Sequence, residues 1–383
     1  MKKIVHIVLF ENYQEGYSYQ ENLLTQKQKE LGYDVYIIAS QRYRDNNYRY
    51  HLRDTGFYIN EYGIPVRVLP CTKYNPHIAR FFDECIGLYE ALVEITPDII
   101  FLHNFSGKDV RHLRRYLKTH YGVVLYVDSH ADFYNKPINT IKDKIGALEI
   151  GILGRSLIPF AKMFWGTLPW RVQYLREVYK IPSNKTDLLI MGADEGIILG
   201  KDREKVKESI RGKYKIPDNA FLISSGGKLD KRKQQNLLME AVRQMSNSIY
   251  LIIFGEPTEE MKPVFEEYGK DNNIILPGWL PSEQAYDIFM ASDLAFFPGT
   301  HSVLWEQAVA CETPIVTKHW EGMEHIDCDG NAILMDNVDV DHIKDVIIRL
   351  QDTSVYSSMK KRAVEVAHNF YLKEIALKAI GEL

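Results

Sequence analysis

The residues best suited to chemistry stand where apolar runs of strand length end. The run from Phe221 leads into Gly226-Gly227-Lys228-Leu229-Asp230-Lys231-Arg232-Lys233. A glycine pair lets backbone approach a ligand, and Lys228 and Lys233 straddle the turn into a helix. That pattern suits an anion, and it equally suits a solvated basic turn; the P-loop and G-x-G-x-x-G spacings are absent. The next run ends at Phe254-Gly255, where a flat ring could pack on the backbone. A later run, Phe296-Phe297-Pro298-Gly299-Thr300-His301-Ser302, opens a helix with Ser302 in N-cap position. Free N–H groups at Ser302 and Val303 would face an anion. Glu306, one turn on along the same rim, could accept hydrogen bonds from a ribose diol. In the first half, Gly16 lies in a polar loop after the first apolar run, in what is equally an ordinary turn. Asp128-Ser129-His130-Ala131-Asp132 ends the fifth. At extended period Asp128, His130 and Asp132 share a side, which raises a metal site. No second ligand cluster supports it, so His130 reads better as a polar group aimed into a substrate cleft.

In α/β sheets ligands bind outside the carboxyl ends of strands, so the elements behind these turns must be strands. The pattern supplies them. Strands are expected at Ile4 to Phe10, Val35 to Ala39, Val66 to Leu69, Ile99 to His103 and Val123 to Val127, with helices near 18–31, 77–95 and 108–119. A second series follows, with strands at 221–225, 249–254, 273–276, 293–297 and 314–317 and helices at 233–246, 258–269, 281–291 and 302–311. Helices near 339–352 and 354–383 end the chain. Residues 42–62, rich in Arg, Tyr and Asn, have no clear period and read as an excursion above the sheet. The expected fold class is α/β, with two Rossmann-like doubly wound parallel-sheet domains: 1–194, 195–365, and a helix 366–383 returning to the first domain.

The 383 residues carry 47 Lys plus Arg against 51 Asp plus Glu, a net charge of −4. Nothing in that balance drives nucleic-acid binding, so any anion must be held locally. Cys71, Cys85, Cys311 and Cys328 have no zinc-site spacing and read as reduced packing residues of a cytoplasmic protein. Lys2 and Lys3 precede too short an apolar stretch for a signal peptide, and no run has the ~20 residues a spanning helix needs.

Taken together, the second-half motifs resemble the nucleotide-sugar glycosyltransferases of the two-domain B fold (GT-B), especially retaining family four. Gly227-Lys228-Leu229 with Lys233 is similar to the family's G-R-L and following lysine. Gly278-Trp279-Leu280 through Ala291-Ser292-Asp293-Leu294 to Phe297-Pro298 is similar to its G-x-L…A-D-L run. Glu306-Gln307-Ala308-Val309-Ala310-Cys311-Glu312-Thr313-Pro314-Ile315-Val316 resembles E-A-M-A-x-G-x-P-V-V, Gly322 to Glu324 resembles G-G-x-x-E, and Met191-Gly192-Ala193-Asp194 resembles N-G-V-D. The likeness is strong from about 190 to 335 and faint before that. Three departures stand out: Lys228 replaces arginine and loses its bidentate fork, Glu312 replaces glycine, and Pro298 replaces the first glutamate of the E, seven residues, E pattern.

The resemblance implies transfer of a sugar from a nucleoside diphosphate sugar to a saccharide or lipid-linked saccharide, as in bacterial surface polysaccharide synthesis. It implies retention at the anomeric carbon and no metal or other cofactor. Lys228 and Lys233 would grip the diphosphate and stabilise the leaving group, with the helix end at Ser302 and Val303. Glu306 would hold the ribose, Gly255 would lie near the base, Gly16 would approach the diphosphate, and His130 would contact the sugar. His301 is the candidate to replace the missing glutamate. The alternatives are a noncatalytic sugar-nucleotide-binding relative and an epimerase of the same architecture. The stretch Arg155 to Arg171 mixes apolar, aromatic and basic groups. It reads as buried helix and loop, with a peripheral contact at the inner membrane face as its functional alternative. The base, the sugar, the acceptor and the oligomeric state are not encoded legibly.

Overall fold

The computed structural model describes residues 1–10, 13–16, 19–44, 50–72, 84–105 and 107–383. The chain divides into two compact units, one of Met1–Ile190 with Leu372–Leu383 and one of Met191–Tyr371.

The first unit is built on strands β1 (Lys3–Val8), β2 (Asp34–Ser40), β3 (Arg42–Arg44), β4 (Tyr50–Leu52), β5 (Gly56–Ile59), β6 (Pro65–Leu69), β7 (Ile99–His103), β8 (Val124–Ser129), β9 (Ala161–Gly166) and β10 (Thr186–Leu188). Its main sheet has the order β10-β9-β8-β7-β1-β2-β6-β5. Every pair is parallel except β5 with β6. The interior strands read as apolar runs because helices cover both faces, leaving no solvent face that would call for alternation. Core clusters lie on either side, one including Val5, Ile100 and Leu125, the other Ile4, Phe101 and Trp165. The final helix, Leu372–Ala379, packs here: the Trp165 indole Nε1 donates to the Ala379 carbonyl at 3.1 Å.

The second unit carries β11 (Phe221–Gly226), β12 (Ile249–Phe254), β13 (Ile274–Gly278), β14 (Leu294–Phe297), β15 (Ile315–Lys318) and β16 (Ala332–Met335). They form one parallel sheet of order β13-β12-β11-β14-β15-β16.

The ten strands expected from apolar runs all form. The missed ones are the short or edge strands β5, β10 and β16, the interior strand β9, and the antiparallel hairpin β3–β4. That hairpin and β5 fall within residues 42–62, so the excursion is partly ordered strand. Helices Ile141–Arg155 and Pro169–Glu177 were also missed. The helix expected over 77–95 is shorter, Leu88–Ile95: residues 84–87 are not helical, and 77–83 lie outside the described residues. The last expected helix is two, Thr353–Val366 and Leu372–Ala379, broken at Tyr371, whose backbone is extended. Residues 155–171 are buried or half-buried except Pro159 and Lys162, because β9 inserts between β8 and β10. All four cysteines are unbridged, and folding sets Cys71 beside Cys85 in an isolated antiparallel bridge.

Candidate functional site

In the second sheet the strand order reverses between β11 and β14, which pair directly through Ile223 with Leu294 and Ser224 with Ala295. Loops that leave neighbouring strands at such a reversal diverge and open a crevice. The turn 226–233 and the loop 298–303 are therefore spatial neighbours, although some 70 residues separate the partnered strands. Three glycines set the spacing. A Cβ on Gly299 would lie 2.2 Å from the Arg232 carbonyl oxygen, and one on Gly255 would lie 1.9 Å from the Gly227 carbonyl oxygen. Gly227 (φ +112°) faces Leu304 and Ser302 at the start of the helix Leu304–Ala310. Gly255 thus serves backbone-to-backbone packing between two loops, a reason stronger than the ring packing expected of it.

Lys233 is buried, and its ammonium donates to the carbonyl oxygens of Thr300 and His301, each at 2.8 Å. Burial pulls its pKa down to about 8, against Asp230, which raises it. The short 3-10 turn Lys231–Lys233, capped by the Asp230 carboxylate accepting from the Arg232 amide, aims the side chain inward. Lys228 stays half-buried on the outer limb of the same turn. A lysine ammonium is thus fixed between the turn 226–233 and the loop 298–303.

Glu306 is not on a rim: it is 0% exposed. Its Oε1 accepts from His301 Nε2 at 2.8 Å and from His325 Nε2 at 2.9 Å, while Oε2 has no hydrogen-bond partner. Burial opposes ionisation, yet the two imidazoles hold the carboxyl down at about 2. Ser302 does not cap the helix as expected. Val303 occupies the N-cap position without a side-chain cap, and the Ser302 hydroxyl accepts from the Leu304 amide at a long 3.5 Å.

In the first unit the reversal falls between β1 and β7. Gly16 (φ +78°) is exposed, with its amide donating to the Glu61 carboxylate at 3.0 Å. His130 follows β8; its amide donates to Asn104 Oδ1 at 3.2 Å, and its Nε2 stands 3.6 Å from Asp128 Oδ2. Asp128 alone of Asp128, His130 and Asp132 lies on the strand, which ends at Ser129, and Arg171 stands between the other two, 3.5 Å from His130 Nδ1. The chain turns after Ser129, and the Asp132 carboxylate accepts from the Tyr134 and Asn135 amides and from Arg171 Nε at 3.2 Å. Among the described residues, the three-residue group with atoms close enough to hold a metal ion is His301, Glu306 and His325, within 4.8 Å of one another.

The sequence reading missed His325, Gly299, Asn104 and His103 as parts of these sites. His325 directly follows the Gly322 to Glu324 motif, which was the available signal; the others are decided by packing.

Two sheets, parallel except at β5 and each reversing order once, with the terminal helix counted in the first unit, define a GT-B fold. Residues 206–367, all within the second unit, match the family described as Glycosyl transferases group 1. Solved structures of similar fold span almost the whole chain. Sucrose-phosphate synthase from Thermosynechococcus elongatus is 16% identical, with a TM-score of 0.69, covering 99% of this chain and 97% of its own. HepE from Anabaena, in complex with UDP and glucose, is 14% identical with a TM-score of 0.70 and covers 100% of both chains. WaaG, a glycosyltransferase involved in lipopolysaccharide biosynthesis, is 14% identical with a TM-score of 0.66, covering 99% of this chain and 98% of its own. No curated protein sequence matches the chain significantly.

Proposed function

We propose that the chain transfers a sugar from a nucleoside diphosphate sugar to a saccharide or lipid-linked saccharide acceptor, with retention at the anomeric carbon. The observation that carries this reading is the buried ammonium of Lys233 between the two loops at the β11/β14 reversal, in a unit that matches the glycosyl transferases group 1 family. Departure of the diphosphate builds negative charge, and a preorganised positive group in a low-dielectric crevice stabilises that charge without reorganisation. Lys228 would neutralise the outer oxygens, and the backbone N–H groups at Ser302 and Val303 would complete the cradle. The ribose diol would take the place of His301 on Glu306, using the unpartnered Oε2. His301, released, would turn toward the donor sugar, where Pro298 offers no carboxylate. Gly255 would keep the base close to the backbone. In the first unit, His130 is the candidate sugar contact, and Gly16, whose amide Glu61 now occupies, the candidate phosphate contact. No step of this scheme requires a metal or other cofactor.

For a lipid-linked acceptor, the contact with a membrane's inner face lies not at 155–171 but on the helix Ile141–Arg155. There Ile141, Ile145, Leu148 and Ile152 form an exposed stripe at helical spacing beside Lys142 and Lys144. No helix among the described residues is long and apolar enough to cross a membrane. Synthesis of bacterial surface polysaccharide in the cytoplasm is the setting that fits this chemistry.

The test is a thermal-shift panel of UDP-, GDP-, TDP- and ADP-linked sugars followed by product analysis with saccharide acceptors. A stabilising donor that is turned over supports the reading. Pro298 favours a second one, a noncatalytic sugar-nucleotide-binding protein, which stabilisation without transfer or hydrolysis would select.

A further inference from the structure

Beneath the carboxyl end of the first sheet, a chain of side chains crosses the core from the helix Gln20–Glu30 to the end of β8. Gln28 Nε2 donates to the Ala376 carbonyl oxygen at 3.2 Å, and Gln28 Oε1 faces His6 Nε2 at 2.7 Å. His6 Nδ1 faces His103 Nε2 at 2.9 Å, and His103 Nδ1 faces Asp128 Oδ2 at 2.8 Å. No member is more than 1% exposed. The three strands involved, β1, β7 and β8, are sheet neighbours, with His103 paired in register to Asp128.

The direction of each bond follows from what its ends can do. A main-chain carbonyl only accepts, so the Gln28 nitrogen must face Ala376 and its oxygen must face His6; turning the amide over would set two oxygens against each other. His6 Nε2 therefore carries a hydrogen. At the other end an ionised carboxylate only accepts. Three contacts thus lie between two acceptors, Gln28 Oε1 and Asp128, and only two imidazoles stand between them. Each neutral imidazole supplies one N–H, so three bonds need one proton more than two neutral rings hold.

We propose that His103 is a buried imidazolium, with a hydrogen on both ring nitrogens, ion-paired to the Asp128 carboxylate, and that this proton-loaded chain is the device that positions Asp128 beneath His130. The placement of the additional proton agrees with the rest of the cluster. Burial, reinforced by His103, pulls the His6 pKa down to about 3, which leaves the proton on the ring beside the carboxylate. Against the effect of burial, His103 and His130 hold the Asp128 carboxyl far below its ordinary range. The group as a whole is neutral, so no lone charge is left in the core.

What Asp128 holds in turn is the end of β7. Its Oδ1 accepts from the Asn104 amide at 2.9 Å, and Asn104 stands at φ +59°, a left-handed conformation that asparagine adopts more readily than most side chains. Asn104 Oδ1 then accepts from the His130 amide, and Asp128 Oδ2 lies 3.6 Å from His130 Nε2. The backbone and the ring of His130 are thus both referenced to one buried carboxylate, whose own orientation is set by His103. The consequence for catalysis rests on the proposed contact of His130 with the donor sugar; the protonation does not.

The decisive measurement is the ring-nitrogen NMR of histidine-labelled full-length protein at neutral pH. His103 should show N–H on both nitrogens and His6 on Nε2 alone; a single ring N–H on His103 overturns the proposal. Asp128→Asn is isosteric, and its amide can donate to His103 Nδ1 while its oxygen keeps the Asn104 amide. In that variant every bond is satisfied by neutral rings, so His103 should retain Nε2–H and lose the Nδ1 proton, while a doubly protonated His103 there counts against the ion pair. Sugar transfer by Asp128→Asn should fall about tenfold in kcat with KM nearly unchanged. Wild-type kcat in that variant, with the NMR result intact, removes the positioning role. Failure of wild-type protein to transfer any sugar overturns the functional reading and leaves the NMR result to decide the protonation.

Discussion

The carbonyl oxygen of Thr300 accepts a hydrogen bond from the ammonium of Lys233 at 2.8 Å, across 67 positions of sequence. That bond ties the turn after β11 to the loop after β14 and makes Lys233 a structural clasp; under the proposed function the same ammonium meets the departing diphosphate.

Replacing Lys233 therefore tests two roles at once. Lys233→Ala should lower kcat by roughly 100-fold, or about 2.7 kcal/mol at 1.36 kcal/mol per decade. It should also lower the melting temperature, since two half-buried carbonyls lose their donor. Kinetics on the folded fraction separate the effects. A variant with normal kcat and only a raised KM would show that the lysine supplies uniform binding.

The same burial sets a pH dependence. Lys233 titrates near 8, so its charge is present below that pH and is lost as pH rises through it. The profile of kcat/KM for the donor, which reports the free enzyme, should bend downward near pH 8. The kcat profile should bend at higher pH, because a bound diphosphate favours the ammonium. Superimposable profiles would mean that another group controls the alkaline limb.

Glu306→Ala should weaken nucleoside diphosphate binding by calorimetry, and it should also destabilise the fold, because the carboxylate is buried rather than on a rim. Its pKa lies near 2 in the folded chain against an ordinary 4.5. The stabilisation it gives is complete above the unfolded value and is lost as pH falls from about 4.5 through about 2. Acid unfolding of Glu306→Gln should accordingly be less steep across that interval than in the wild type. Unchanged nucleotide affinity in Glu306→Ala would remove it from the site.

Gly255→Ala places a Cβ 1.9 Å from the Gly227 carbonyl oxygen, at a φ of +130° that a side chain resists. The two loops must part, so the variant should lose donor binding and several degrees of melting temperature. Retained donor affinity, measured by thermal shift, would show that this contact is not needed to shape the crevice.

Chelation separates the two uses of His301, Glu306 and His325. If they serve as a hydrogen-bonded anchor, transfer should persist after prolonged EDTA treatment. A requirement for added magnesium, manganese or zinc would instead make these three residues the metal site.

The sequence by itself determined the elements and the order in which they alternate. Long interior strands such as Ile99–His103 and Ile249–Phe254 are legible because a strand covered on both faces must be apolar throughout, and the pattern is local. The turns after β11 and β14 were legible for the same reason, since glycines and lysines at strand ends have few local alternatives. Edge strands such as β5, β10 and β16 were not, because a short strand with one open side has no composition of its own. Tertiary structure decided what those turns do to one another. That Gly255 presses on Gly227, that Glu306 is enclosed by His301 and His325, and that His6, His103 and Asp128 form one chain all depend on which strands pair. Strand order is a property of the folded sheet rather than of any stretch of sequence, and burial and hydrogen-bond direction are fixed only once it exists.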